Sequence, residues 1–95
     1  MNNRRLFISN LSWDTNEETI KTIFSKISKV EKVEIIKNRF SGKSEGIAFV
    51  TISNEDDIRD VIELLNGKTV DGKKIMVTKP NPEENRFNRA MLAYA

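Results

Sequence analysis

A chain of 95 residues, 32% of them charged and 38% apolar, has the length and balance of one small globular domain. It contains no cysteine and no histidine, which excludes disulfides, thiol catalysis and cysteine-ligated zinc and removes the commonest general base and metal ligand. The net charge of +2 is spread over interspersed Lys and Glu, so a polyanionic partner is permitted but not required, and the lack of a bilayer-length apolar run or of a signal-peptide pattern after Met1 predicts a soluble intracellular protein with no membrane partner.

The first run, "RLFISNL" at residues 5–11, alternates polar and apolar side chains and predicts a strand. A turn follows, and then Ile20, Ile23, Phe24 and Ile27 recur at helical spacing behind Thr15 or Asn16 as cap, with Glu17 and Glu18 in the favourable first turn. "VEKVEIIK", residues 30–37, returns to a period of two, with Val33 and Ile35 on one face and Lys32, Glu34 and Ile36 on the other. Ser41 and Gly42 mark a hairpin turn into a third strand, "EGIAFVTI", residues 45–52. A second helix over residues 54–65 has Asn54 or Ser53 as cap and Ile58, Val61, Ile62 and Leu65 as its buried stripe, and Gly67 is placed to end it. Asp71 and Gly72 form a tight-turn signal before a last strand, residues 73–78, which Pro80 closes.

This order, β-α-β-β-α-β, predicts an α+β, ferredoxin-like sandwich: a four-stranded antiparallel sheet with two helices on one face and the other face open. The domain is expected over residues 4–79. Residues 80–95 form a C-terminal extension, either disordered or a short amphipathic helix started by Asn81 and Pro82, with Phe87, Met91 and Tyr94 on one side. Such a helix could lie across the open face and compete with a ligand there.

Two stretches carry a family resemblance. "LFISNL", residues 6–11, fits the shorter signature of the RNA recognition motif family, and "EGIAFVTI" fits that family's octamer at Gly46, Ala48, Phe49 and Val50 while departing from it at Glu45, Ile47 and Ile52. Residues 4–79 as a whole resemble such a domain.

Strand alternation gives these residues a direction. If Leu6, Ile8, Ala48, Val50 and Ile52 pack under the helices, then Phe7, Glu45, Ile47, Phe49 and Thr51 point outward, joined by Ile36 and Met76. Two solvent-facing phenylalanines on adjacent strands contribute nothing to a core and favour a functional role. The resemblance implies that Phe7 and Phe49 stack RNA bases. Ile47 then offers an apolar contact without a flat ring, and Glu45, where the family carries a cation, opposes a phosphate. Trp13, just after the first strand, either stacks a further base or lies on the body to anchor its loop. Lys37, Arg39, Phe40 and Lys43 make a basic hairpin interleaved with an aromatic, suited to clamping a nucleic-acid strand. Arg5, Lys32, Lys74 and Lys79 reach the outward face or its rim as phosphate contacts, and Asn10 at the end of the first signature joins the candidate RNA-binding set.

Single-stranded RNA is therefore the expected partner of a monomeric module. The alternative is a protein-interaction module of the same fold, binding an apolar peptide or partner helix on Ile36, Ile47, Phe49 and Met76. An enzyme is not expected: most acids fall in helix first turns, where the dipole accounts for them, and neither a glycine-rich phosphate loop nor a metal-ligand set is present. No cofactor is expected either.

Overall fold

A computed structural model describes residues 4–80 of the chain; the expected tail helix with Phe87, Met91 and Tyr94 lies outside the described residues. The alternating run at the start forms strand β1 (Arg5–Ser9). Leu6 and Ile8 are fully buried while Arg5, Phe7 and Ser9 are half-buried, as a period of two requires. The chain leaves the sheet at Asn10, whose φ of 59° lies in the left-handed region that Asn adopts more readily than most residues. Asn16 opens helix α1 (Glu17–Ser25), its Oδ1 accepting from the Thr19 N–H at 2.9 Å and the Thr19 hydroxyl at 3.0 Å. Thr15, the other candidate cap, is buried and donates its hydroxyl to Asp71 Oδ2 at 2.8 Å. Ile20 and Phe24, one turn apart, are the fully buried residues of α1.

Strands β2 (Val30–Lys37) and β3 (Ser44–Ile52) form an antiparallel hairpin. Asn38 organises its turn: the side-chain Oδ1 accepts from the N–H groups of Phe40 and Ser41, and the backbone carbonyl accepts from Gly42 at 2.8 Å. A register shift then separates the pair Ile35–Ala48 from the pair Lys37–Ser44. Gly46 lies at this irregularity with φ of 77°, and a Cβ there would stand 3.1 Å from the Leu11 carbonyl oxygen. Leu11 cannot easily retreat, because it is buried and its own N–H donates to the Gly46 carbonyl at 3.0 Å.

The second helical segment begins as one 3₁₀ turn, Glu55–Asp57, capped by Asn54, and continues as α2 (Ile58–Leu65), which buries Ile58, Val61 and Leu65. Asp57 accepts from the Ser28 hydroxyl at 2.9 Å, tying this start to the connection between α1 and β2.

The last expected strand is not continuous. Its first half, β5 (Lys73–Lys74), pairs with β4 (Thr69–Val70) in a separate hairpin, while β6 (Met76–Thr78) alone joins the main sheet. Asp71 and Gly72 make the hairpin turn with φ of 50° and 85°, the pair of positive values such two-residue turns favour. The break falls at buried Ile75 because its hydrogen bonds run elsewhere: its N–H donates to the Lys68 carbonyl and its carbonyl accepts from the Gly67 N–H. Asn66 Oδ1 accepts from the Val77 N–H at 3.0 Å, so a side chain satisfies the outer edge of β6.

The four-stranded antiparallel sheet has the order β2-β3-β1-β6. Its inward rows, Val33–Val50–Leu6 and Ile35–Ala48–Ile8–Val77, meet Ile20 and Phe24 of α1 and Ile58, Val61 and Leu65 of α2 in one apolar cluster. This is the expected ferredoxin-like arrangement, with both helices on one face.

Two stability predictions follow from the backbone positions. Gly46→Ala should cost about 2–3 kcal/mol, combining a left-handed backbone with a tight contact, whereas Gly42→Ala, with a φ of 75° but no heavy atom within 4 Å, should cost about 1 kcal/mol; equal shifts in urea unfolding would show that the Leu11 contact is immaterial. Asn10→Ala should lose about 1–2 kcal/mol, and Asn10→Gly about 1 kcal/mol, since glycine relieves the backbone but still leaves the Lys74 carbonyl without its 2.7 Å donor.

Candidate functional site

The sheet face opposite the helices is organised in cross-strand rows. Lys32, Thr51 and Arg5 form one, and Glu34, Phe49, Phe7 and Thr78 form the next. Ser9 and Met76 face each other in a third, with Ile47 and Ile36 on the same side by alternation. Phe7 and Phe49 thus stand directly opposite each other on the two central strands, ring centroids 5.4 Å apart and planes tilted by 53°, a favourable aromatic pairing.

The rings are less open than alternation alone suggests. Phe7 is half-buried, and Phe49 is only 5% exposed although it points away from the apolar cluster under the helices. The expectation of two solvent-facing rings is therefore corrected. The cause visible on this face is Arg5, whose Cζ lies 3.9 Å from the Phe49 ring centroid, a cation–π contact that shields one side of the ring. Arg5 Nη2 is also 3.6 Å from Glu34 Oε1, and Lys32 Nζ is 3.7 Å from Glu34 Oε2. Ring, cation and acid form one unit across three strands.

Around this unit the expected contacts divide. Met76 is 55% exposed, Ile47 is half-buried and Lys79 is exposed at the end of β6. Glu45 is half-buried and, among the described residues, forms no ion pair. Lys74 is exposed but belongs to the separate hairpin rather than to the sheet. Asn10 has a structural task, its Nδ2 donating to the Lys74 carbonyl.

The loop residues do not gather into a single clamp. Lys37 follows the parity of Val33 and Ile35, and its Nζ lies 3.8 Å from Glu17 Oε2 of α1, on the helix side of the sheet. Trp13, Lys37 and Lys43 line a cleft of about 400 Å³ between the β1–α1 loop and the hairpin. Arg39 and Phe40 stay exposed at the hairpin tip, outside that cleft. Trp13 and Phe40, at 75% and 80% exposure, are rings held in solvent rather than loop anchors.

Glu34 is the site residue that periodicity alone does not single out as functional. Its outward direction is legible, but its place beside Phe49 depends on a register that the Gly46 irregularity shifts away from a simple count back from the turn. Among the described residues, no cluster of His, Cys, Asp or Glu could hold a metal ion, and no helix is long and apolar enough to cross a membrane.

Known proteins share both the pattern and the fold. The family model for the RNA recognition motif matches residues 6–76. The 28 kDa chloroplastic ribonucleoprotein of Spinacia oleracea is 36% identical over 86 residues, covering 90% of this chain; the chain spans 36% of that relative's length. Among solved structures, RNA binding protein PG1 is similar with a TM-score of 0.77 at 27% identity, over 81% of this chain and 93% of that one. The Sex-lethal RNA recognition domains 1 and 2 from Drosophila melanogaster give a TM-score of 0.76 at 30% identity, over 84% of this chain and 51% of that one. With two signature strands side by side in the sheet and a family match running from β1 into β6, the chain belongs to the RNA recognition motif family.

Proposed function

We propose that the chain binds single-stranded RNA on the sheet face opposite its helices, with bases stacked on Phe7 and Phe49. The observation that carries this reading is the direct pairing of those two rings on the central strands, outside the apolar cluster. Ring burial against a helix would have been the ordinary use of two phenylalanines; placed here, Phe7 offers a partly open face to an unpaired base and Phe49 a face that Arg5 covers in the free protein. The family membership and the relatives named as RNA-binding and ribonucleoprotein support it. They give no comparable support to a protein ligand on the same face.

Base stacking on Phe49 requires Arg5 to leave the ring. That displacement gives up a cation–π contact, about 0.5–1 kcal/mol at an exposed site, and a partly exposed ion pair of a weak kind, against about 1–3 kcal/mol for a stacked base. The released guanidinium becomes a phosphate contact, alongside Lys32 and Lys79 at the rim. Ile47 and Met76 add apolar contact beside the rings. Trp13, Phe40, Arg39 and Lys43, all exposed, extend the surface beyond the sheet for a strand that leaves it over the loops. Glu45 opposes the backbone charge and lowers the affinity of the whole face.

The test is fluorescence anisotropy with a labelled single-stranded RNA octamer of mixed sequence, using wild type, Phe7→Ala and Phe49→Ala. Loss of one stacking platform should raise Kd by roughly 5-fold or more, corresponding to about 1–3 kcal/mol per base. Binding should weaken with salt by a log–log slope of about −0.7 for each phosphate neutralised. Unchanged affinity in both variants, each shown to be folded by its unfolding transition, would refute stacking on these rings.

A further inference from the structure

The Arg5 guanidinium occupies a place that strand geometry does not dictate. Its Cζ stands 3.9 Å from the centroid of Phe49, and its Nη2 is 3.6 Å from the carboxylate of Glu34, the direct cross-strand neighbour of Phe49. A flat group rich in N–H donors thus covers the ring beside an acid. Guanine has the same donor fork, because its N1–H and exocyclic N2–H flank C2 as the guanidinium N–H groups flank Cζ.

We infer that Glu34 is a specificity-determining residue that selects guanine as the base stacked on Phe49, its two carboxylate oxygens accepting from N1–H and N2–H; this rests on the stacking proposed above. Arg5 holds the place of that base in the free protein. An ionised carboxylate is acceptor-only and takes two parallel donors, the geometry it uses with arginine. Guanine alone among the four bases presents two adjacent donors on its Watson–Crick edge. Adenine and cytosine each set a ring-nitrogen acceptor beside their amino group, and uracil flanks its single N–H with two carbonyls, so each places acceptors against the acid.

The exchange leaves no charge stranded. At 3.6 and 3.7 Å, the contacts from Arg5 and Lys32 are ion pairs beyond ordinary hydrogen-bond length, and the three side chains are 31–65% exposed. Guanine would supply two direct hydrogen bonds in place of the Arg5 contact, while Lys32 stays beside the acid and Arg5 turns to phosphate. A carboxylate next to a base platform repels the RNA backbone. A base-edge contact gives that acid a use, which its general effect on affinity does not.

The test uses single-stranded RNA octamers of uridine carrying one central guanosine, adenosine, cytidine or inosine, together with the all-uridine chain, titrated by anisotropy into wild type and Glu34→Gln. Wild type should bind the guanosine octamer roughly tenfold more tightly than the all-uridine one. Inosine, which lacks the N2 amino group, should lose most of that preference. In Glu34→Gln the guanosine-to-uridine ratio should fall to within about twofold, because the amide sets one donor against the guanine fork. The ratio is the readout, since removing a negative charge can raise affinity for every octamer. Binding by wild type without a guanosine preference, or a preference that survives in Glu34→Gln, would overturn the assignment of Glu34 while leaving RNA binding intact. Binding of none of the octamers by wild type would overturn both.

Discussion

The register of β1 against β3 is the constraint on which the rest depends. Leu6 opposite Val50 and Phe7 opposite Phe49 send one pair into the helices and the other away from them. A slip of one residue would exchange the two sets, burying the acid-flanked rings and exposing the core. Several contacts hold that register. The Leu11 N–H is clamped to the Gly46 carbonyl at one end, and the Ile52 N–H donates to the Arg4 carbonyl at the other. Helix α1 then covers the inward rows through Ile20 and Phe24, and α2 through Ile58, Val61 and Leu65.

The outward face is chemically mixed because Phe49, one of its two rings, lies under a cation that an acid pairs in turn. Arg5 shields Phe49 and Glu34 neutralises Arg5, so a protein carrying two outward rings avoids presenting a bare apolar patch. The same arrangement makes the face responsive to its ligand. In the proposed complex a base stacked on Phe49 would replace one planar group with another and free Arg5 for a phosphate. Such binding would exchange weak internal contacts for external ones instead of exposing a buried ring to water.

Much of this was legible from periodicity, and the parts that were not share a physical origin. The helical stripes of Ile20 with Phe24 and of Val61 with Leu65 follow from spacing, as do the directions of Phe7 and Phe49. The Asp71–Gly72 turn is evident in sequence, but the two-residue strand before it is too short to carry a pattern. The break at Ile75 is hidden because an apolar residue there keeps the run intact, and only its hydrogen bonds to residues 67 and 68 reveal the change of partner. Likewise, the cover over Phe49 joins Arg5 to residues far along the chain, which no local window contains. Lys37 is different: its helix-side direction continues the parity of Val33 and Ile35, so the strand pattern outweighs the loop chemistry that its neighbours suggest.

The most direct measurement is an amide NMR titration of the chain with a short randomised single-stranded RNA at low and then moderate salt. Binding on the open face predicts salt-sensitive shifts centred on residues 5–9, 32–36, 47–51 and 76–79, with the amides of α1 and α2 little changed. Shifts confined to the helices, or none at all in a folded sample, would contradict it.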